Sequence, residues 1–406
     1  MRRTVGVVGL TTNGNVGDYL LVESAKFLLR SHDPDVLLVD IDVDPRGPGV
    51  FTGRRKLNFL FADVLKRTER AVLSIFRGTR NLYYFNYWYT RIKLGWYFDR
   101  YVRNLDAIVF AGGGFIKFKT QGLNYLDELI LTTAHKRGIP VMMNAVGVEG
   151  YSETDFRCQR LKEVLNLDVV KVITTRDDLD TLQRRYITNP RTQTDRVGDP
   201  VFWLGDMGIE EPAPNASERV VGNRIGINLI NPNNFSDYGG GVSPASIVNF
   251  YRSLIAELQR LGADFVLFSN GMAVDERFGA SLVKTMNLRP DQLVRRPATS
   301  REFVNTVAGF DIILSARMHA GITAYAIDVP VVGLIWGEKL QFLTQITGLK
   351  DRYFDESELD SRKIAALLTR NDLPAPDVAI RDELRERTRR HLGDFLDSIG
   401  GGARSE

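Results

Sequence analysis

Residues 311–335 read DIILSARMHAGITAYAIDVPVVGLI. A short apolar run at 311–314 is followed by a polar break at Ser315-Ala316-Arg317 and a helical stretch at 318–326. Beyond Asp328 and Pro330, the run 331–335 is rich in valine. Two buried strands joined by a helix within so short a span form a βαβ unit, which places the strands parallel and buries both faces of the sheet they belong to.

The same alternation extends in both directions. Residues 224–229 and 265–268 read as strands, and 244–261 and 300–307 as helices. In the N-terminal half, TVGVVGL at 4–10 is a strand, 11–17 a polar loop and 19–29 a helix. Further strands are expected at 36–39, 107–110, 140–145 and 169–173, with a helix at 126–136. Between the two series, residues 205–223 contain Glu-Glu-Pro-Ala-Pro-Asn and no apolar period, as a linker does. The expected organisation is therefore α/β throughout. Residues 1–204 form one domain, 205–223 the linker, and 224–399 a second domain ending in an amphipathic helix over 380–399. Residues 400–406 form a loose tail. At roughly 150 residues per domain, 406 residues suit two such domains.

Composition narrows the function. Lys and Arg total 53 against 50 Asp and Glu, a net charge of +3, so the whole-molecule charge gives no case for binding nucleic acid. A single cysteine, Cys158, excludes an internal disulfide and a cysteine metal site, and reads as a small packed thiol. No stretch approaches the roughly 18 apolar residues of a membrane span. The first residues lack a signal-peptide core, so a cytoplasmic location is expected.

One segment breaks the alternation. Residues 51–103 read as a helical insertion, in which basic side chains from Arg54 to Arg103 far outnumber the acids Asp63, Glu69 and Asp99. Aromatics cluster at Tyr83-Tyr84-Phe85, Tyr87-Trp88-Tyr89 and Trp96-Tyr97-Phe98. Two readings fit: rings in a core with cations on a solvated face, or peripheral contact with the inner face of a membrane or with a lipid-linked acceptor.

Candidate chemistry sits at strand ends. Arg317 and His319 follow the strand at 311–314 and open a helix, where free N–H groups favour anions. A permanent cation two residues from an imidazole suits an anion and a proton transfer. The other histidines, His32, His135 and His391, lie in or beside charged helices. Arg176, in Thr174-Thr175-Arg176-Asp177-Asp178, holds the corresponding place in the first domain. Thr175 or Asp177 is expected to cap the next helix, and a pair with Asp177 or Asp180 is the plain alternative for Arg176. Three glycine turns accompany these residues: Asn15-Val16-Gly17-Asp18, Gly112-Gly113-Gly114 and Gly198-Asp199-Pro200. None fits the dinucleotide fingerprint or a P-loop. No zinc, EF-hand or nucleophile-elbow motif is present, so no metal is expected.

Taken in order, Asn15 to Asp18, Gly112 to Gly114, Thr175-Arg176-Asp177, Gly198-Asp199-Pro200, Ser315-x-Arg317-x-His319, the VPVVG run at 329–333 and Lys339 resemble the polysaccharide pyruvyl transferase family. The resemblance implies two Rossmann-like domains facing a central cleft, the GT-B-like arrangement. It also implies transfer of the enolpyruvyl-derived group of phosphoenolpyruvate to two hydroxyls of a sugar or oligosaccharide, giving a pyruvate ketal. Phosphoenolpyruvate is then co-substrate and no cofactor is needed. Arg317, Arg176, Ser315 and Lys339 would bind the donor and His319 would act as the acid. The loops with Asn15, Gly17, Asp18, Gly112, Gly113, Gly114 and Asp199 would line the cleft.

The residues suit that chemistry, because phosphoenolpyruvate carries two anionic groups and guanidinium can grip each with two hydrogen bonds. Asp18 is a candidate to stabilise positive charge developing at the ketal carbon. Two alternatives remain open. One is a nucleotide-sugar glycosyltransferase, in which Arg317 and Lys339 hold a diphosphate and Glu338 the ribose or sugar. The other is an inactive polysaccharide-binding protein. The segment 54–103 has no counterpart in the family pattern.

Overall fold

A computed structural model describes residues 2–10, 15–43, 102–118, 124–209, 224–237, 242–370, 373 and 378–399, with part of 80–92. The chain groups into two units. One comprises residues 1–13, 25–197 and 388–406, the other 14–24 and 198–387. Residues 14–24 and the end of the chain thus group differently from the expected 1–204 and 224–399 division, and most of the linker, 210–223, lies outside the described residues.

The first unit is built on β1 (Thr4–Gly9), β2 (Leu37–Asp42), β3 (Ala107–Phe110), β4 (Gly113–Lys117), β5 (Val141–Glu149), β6 (Val170–Thr175) and β7 (Gln193–Arg196). They form one sheet in the order β2-β1-β3-β5-β6-β7, with β4 also on β5, and every pairing is parallel. The helices are α1 (Val16–His32), whose residues 16–24 belong to the second unit, α2 (Asn124–Arg137) and α3 (Phe156–Leu165), followed by a helical turn Leu179–Thr181 that runs into a π-helical turn Leu182–Tyr186. The residues of β3, Ala107 to Phe110, are all fully buried, as the β-branched runs require of a sheet covered on both sides.

The glycine triplet departs from expectation. Gly113 and Gly114 do not form a strand-end turn but begin β4, which continues along the edge of β5 where β3 stops: Phe110 pairs with Met143, and Gly113 with Val146. The kink between β3 and β4 falls at Gly112 and Gly113, whose φ values of 92° and 104° L side chains rarely adopt. Ala145 in β5 is distorted to a φ of 49° at the same level. Its N–H is taken by Thr174 Oγ1 at 2.8 Å, which offsets the break in the ladder.

Beyond β7 the chain enters the main part of the second unit with a 3-10 turn at Pro200–Trp203, capped by Asp199, whose carboxylate accepts from the Val201 N–H at 2.9 Å. Asp199 is therefore a wholly buried cap. Then come α4 (Leu204–Met207), β8 (Arg224–Asn228), α5 (Asn233–Asp237), α6 (Pro244–Arg260), β9 (Asp264–Phe268), α7 (Ala273–Thr285), α8 (Ser300–Ala308), β10 (Ile312–Ser315), α9 (Met318–Ala326), β11 (Val331–Leu334), α10 (Glu338–Thr347), β12 (Tyr353–Phe354), α11 (Ser361–Leu368) and α12 (Val378–Ile399). The sheet is parallel in the order β12-β11-β10-β8-β9. In α6, Ser243 caps the Ser246 N–H, Pro244 opens the first turn, and Ile247, Phe250, Tyr251, Leu254, Ile255 and Leu258 bury one stripe. All nine residues of α9 are buried, so this helix has no polar face to give a period.

Much of the basic-aromatic segment lies outside the described residues. Of its described rings, Tyr83 and Tyr87 are buried, and Tyr83 stacks edge-on against Phe156, whereas Phe85 and Trp88 are exposed. Cys158 is buried against Tyr186. No helix among the described residues is long and apolar enough to cross a membrane.

Candidate functional site

The second sheet reverses direction between β8 and β10: β9 is added on one side of β8, and β10, β11 and β12 on the other. Ligands of open α/β sheets bind outside the carboxyl ends of the strands at such a switch. Asn228 ends β8 there, and Ser315 ends β10. The Arg317 N–H donates to Asn228 Oδ1 at 2.9 Å, so the two strand ends are bonded across the switch point. Asn228 Nδ2 in turn donates to Asn270 Oδ1 at 2.9 Å, which ties in the loop after β9.

Arg317 occupies the N-cap position of α9, and its guanidinium is not loose. Nε and Nη2 each donate to the Asp275 carboxylate at 2.9 Å, and Asp275, on α7, is wholly buried. Asp275 Oδ1 also accepts from the Asn231 N–H at 2.8 Å. Burial raises the Asp275 carboxyl above its ordinary range, and the Arg317 charge opposes that rise. Ser315 Oγ donates to the Arg317 carbonyl at 2.9 Å, so this hydroxyl is engaged in shaping the turn.

His319, in the first turn of α9, is 9% exposed and lies against Gly17 of α1. A Cβ at Gly17 would stand 2.4 Å from His319 Nδ1 and 2.6 Å from its Cβ, an overlap that only glycine avoids. The start of α1 is fixed beside it. The Val16 N–H donates to the Asn270 carbonyl at 3.0 Å, Asn15 Oδ1 accepts from the Gly17 N–H at 3.2 Å, and Asn15 Nδ2 donates to Asp18 at 3.1 Å. Asn15 is thus a side chain that caps this helix. Lys339, in the first turn of α10, holds its Nζ 4.7 Å from the centre of the Trp336 ring, and Trp336 Nε1 donates to the Ala316 carbonyl at 2.6 Å. Asn15, Gly17, Asp18, Ser315, Arg317, His319 and Lys339 all belong to the second unit.

Arg176, Gly112, Gly113 and Gly114 belong to the first unit. Arg176 is buried at the carboxyl end of β6 beside Asp177, whose charge it influences. Asp177 Oδ1 takes the Val148 N–H at 2.8 Å, the Thr175 hydroxyl at 2.7 Å and the Asp178 N–H at 2.8 Å. The following helical turn is capped by Asp178, which accepts from the Thr181 N–H, and not by Thr175 or Asp177. Asp180 pairs with Arg184. Gly114 lies close to Lys117 Nζ and Glu149 Oε1. His32 and His391 pair with Asp397 and Asp195. Among the described residues, no three His, Cys, Asp or Glu side chains gather as a metal site.

Sequence reasoning missed Asp275, Asn228, Asn270 and Trp336. Asp275 lies in a stretch that the sequence assigns to no element, and only the fold brings it to Arg317.

Two parallel α/β sheets, each with helices between its strands, are the GT-B fold of glycosyltransferases and epimerases. Similar structures include the UDP-GlcNAc 2-epimerase of Methanocaldococcus jannaschii, solved with UDP-GlcNAc and UDP. Its TM-score is 0.57 at 11% identity, over 98% of this chain and 100% of that one. A putative UDP-N-acetylglucosamine 2-epimerase of Listeria monocytogenes gives 0.56 at 10%, over 100% and 99%. The α,α-trehalose 6-phosphate synthase of Burkholderia multivorans gives 0.51 at 11%, over 98% and 96%. At such identities the likeness is one of fold. No curated protein matches the chain in sequence. The sequence profile of the polysaccharide pyruvyl transferases matches residues 15–338, most of the chain, and the chain belongs to that family.

Proposed function

We propose that the protein transfers the enolpyruvyl-derived group of phosphoenolpyruvate to two hydroxyls of a sugar or oligosaccharide, forming a pyruvate ketal in the assembly of a cell-surface or extracellular polysaccharide. The observation that carries this reading is the placement of Arg317 and His319, two residues apart, just beyond the end of β10 at the switch point of the second sheet, in a chain of this family.

Arg317, with Lys339 nearby on α10, binds the anionic donor. His319 gives a proton to C3 of the methylene as the first sugar oxygen bonds to C2, and that hydroxyl's proton passes to a base or to water. The C2–O bond to phosphate then breaks and phosphate leaves with the bonding pair. The second hydroxyl adds to C2, and loss of its proton closes the ring. A positioned acid is worth on the order of 10²–10⁴-fold in such a step. Asp18, adjacent to the Gly17 on which His319 rests, is a carboxylate able to steady positive charge at C2.

Calorimetric titration with phosphoenolpyruvate, UDP-sugars and GDP-sugars tests the donor. Saturable binding of phosphoenolpyruvate is expected. Binding of a nucleotide sugar in its place would move the protein to the glycosyltransferases. His319→Ala should keep donor affinity within a few fold and abolish phosphate release in the presence of acceptor; unchanged release would remove His319 as the acid.

A further inference from the structure

We propose that Asp275 is a positioning residue for the donor. It holds the Arg317 guanidinium by its Nε–Nη2 edge, so that the terminal Nη1–Nη2 end is the one offered to the ligand. The proposal rests on the reading that the donor is phosphoenolpyruvate.

The geometry is specific. Asp275 is wholly buried in the first turn of α7 and takes Nε and Nη2 of Arg317, each at 2.9 Å. The carboxylate is itself held by the Asn231 N–H, just beyond β8. The backbone of Arg317 is fixed separately by Asn228, and Asn228 by Asn270. The loops after three strands of one sheet, β8, β9 and β10, therefore converge on Arg317: Asn228 and Asn270 fix its backbone, and Asn231 holds the carboxylate that takes its guanidinium. A buried ion pair is weak evidence for stability, since well-packed apolar residues of similar volume serve as well or better. The arrangement has a clearer use in binding.

A guanidinium can grip an oxyanion along its Nε–Nη edge or across its two terminal nitrogens. Here the first edge is occupied, so the direction of approach is fixed before any ligand arrives. Pre-organisation of this kind favours a ligand that must satisfy two anionic groups at a set separation. It does little for a single small anion, which can follow a mobile side chain. Asp275 also cancels part of the Arg317 charge, so a lone anion gains less than it would from an unpaired arginine.

The experiment compares phosphoenolpyruvate with inorganic phosphate as ligands of the full-length wild type and Asp275→Asn. Asparagine keeps the shape and can still accept from Asn231 and Nη2, but it loses the charge and the matched acceptor for Nε. We expect phosphoenolpyruvate to weaken tenfold or more while phosphate is unchanged or tighter, so that discrimination between the two falls. Equal changes in both affinities, or none, would overturn the proposal. A wild type that fails to bind phosphoenolpyruvate would instead remove the donor reading, and this inference with it.

A measurement on the wild type alone stands even if the variant does not fold. In a chain labelled with ¹⁵N-arginine, the Arg317 Nε–H signal, identified by its loss in Arg317→Lys, should resist exchange with water before any ligand is added. Protection that appears only with phosphoenolpyruvate would mean that Asp275 does not fix the arginine in advance.

Discussion

At the scale of single residues, the site depends on contacts that leave no room for change. Gly17→Ala would drive a methyl into the His319 ring, where the nearest atom is 2.4 Å from the ideal Cβ position. The ring must move, and misplacement of a reacting group by about 1 Å can cost on the order of 10²-fold. We predict that phosphate release from phosphoenolpyruvate falls at least tenfold in Gly17→Ala; wild-type rates would show that His319 is not constrained from this side. Arg317→Ala has a different consequence. It leaves the Asp275 carboxylate buried without its counter-charge, which typically costs about 3–5 kcal/mol. Denaturant unfolding should show a loss of that order, larger than that of Arg317→Ala combined with Asp275→Ala, where no orphaned charge remains. This pairing was not legible in the sequence. Arg317 and His319 stand out because a cation and an imidazole follow a strand directly, whereas Asp275 lies 42 positions from its partner.

At the scale of elements, the sequence was read most faithfully where composition and position agree. β10, α9 and β11 fall where the run from 311 to 335 places them, since the apolar stretches are short, valine-rich and bounded by polar breaks. β4 was invisible because two of its five residues are glycine, and a glycine triplet signals a turn unless the neighbouring strand is known. α7 and α10 were missed for the opposite reason, as mixed amphipathic stretches with no distinct cap. α2 carries a further test. Its Asp127 is wholly buried, and neither carboxylate oxygen has a hydrogen-bond partner among the described residues. Burial raises its carboxyl well above the ordinary range, and the Lys117 charge opposes this only in part. From about pH 4 upward the unfolded chain loses this proton while the native state still holds it. The unfolded state then binds fewer protons, so the group's contribution to stability falls as pH rises, by up to about 1.4 kcal/mol per pH unit. Asp127→Asn removes that term. Its melting temperature should rise relative to wild type between pH 4.5 and pH 8, and a difference that stays flat or reverses would mean that Asp127 does not titrate in this way.

At the scale of the whole molecule, both units are discontinuous in the chain. α1 starts among residues of the second unit and ends in the first, and α12 does the same across residues 387 and 388. The C-terminal part of α12 buries Leu392, Phe395 and Leu396. At roughly 1.5–3 kcal/mol for each buried side chain, these are comparable with the whole stability of a typical domain. Removal of residues 388–406 should therefore yield protein that is insoluble or lacks a cooperative unfolding transition by circular dichroism. A truncated chain with normal cooperativity would show that this segment is dispensable.

The divided ownership of α1 also bears on descent. His319 leans on a glycine encoded some three hundred positions earlier, ahead of nearly all of the first sheet. A chimera joined within 210–223 takes the two sides of this contact from different chains, and keeps it only where glycine stands at the position of Gly17.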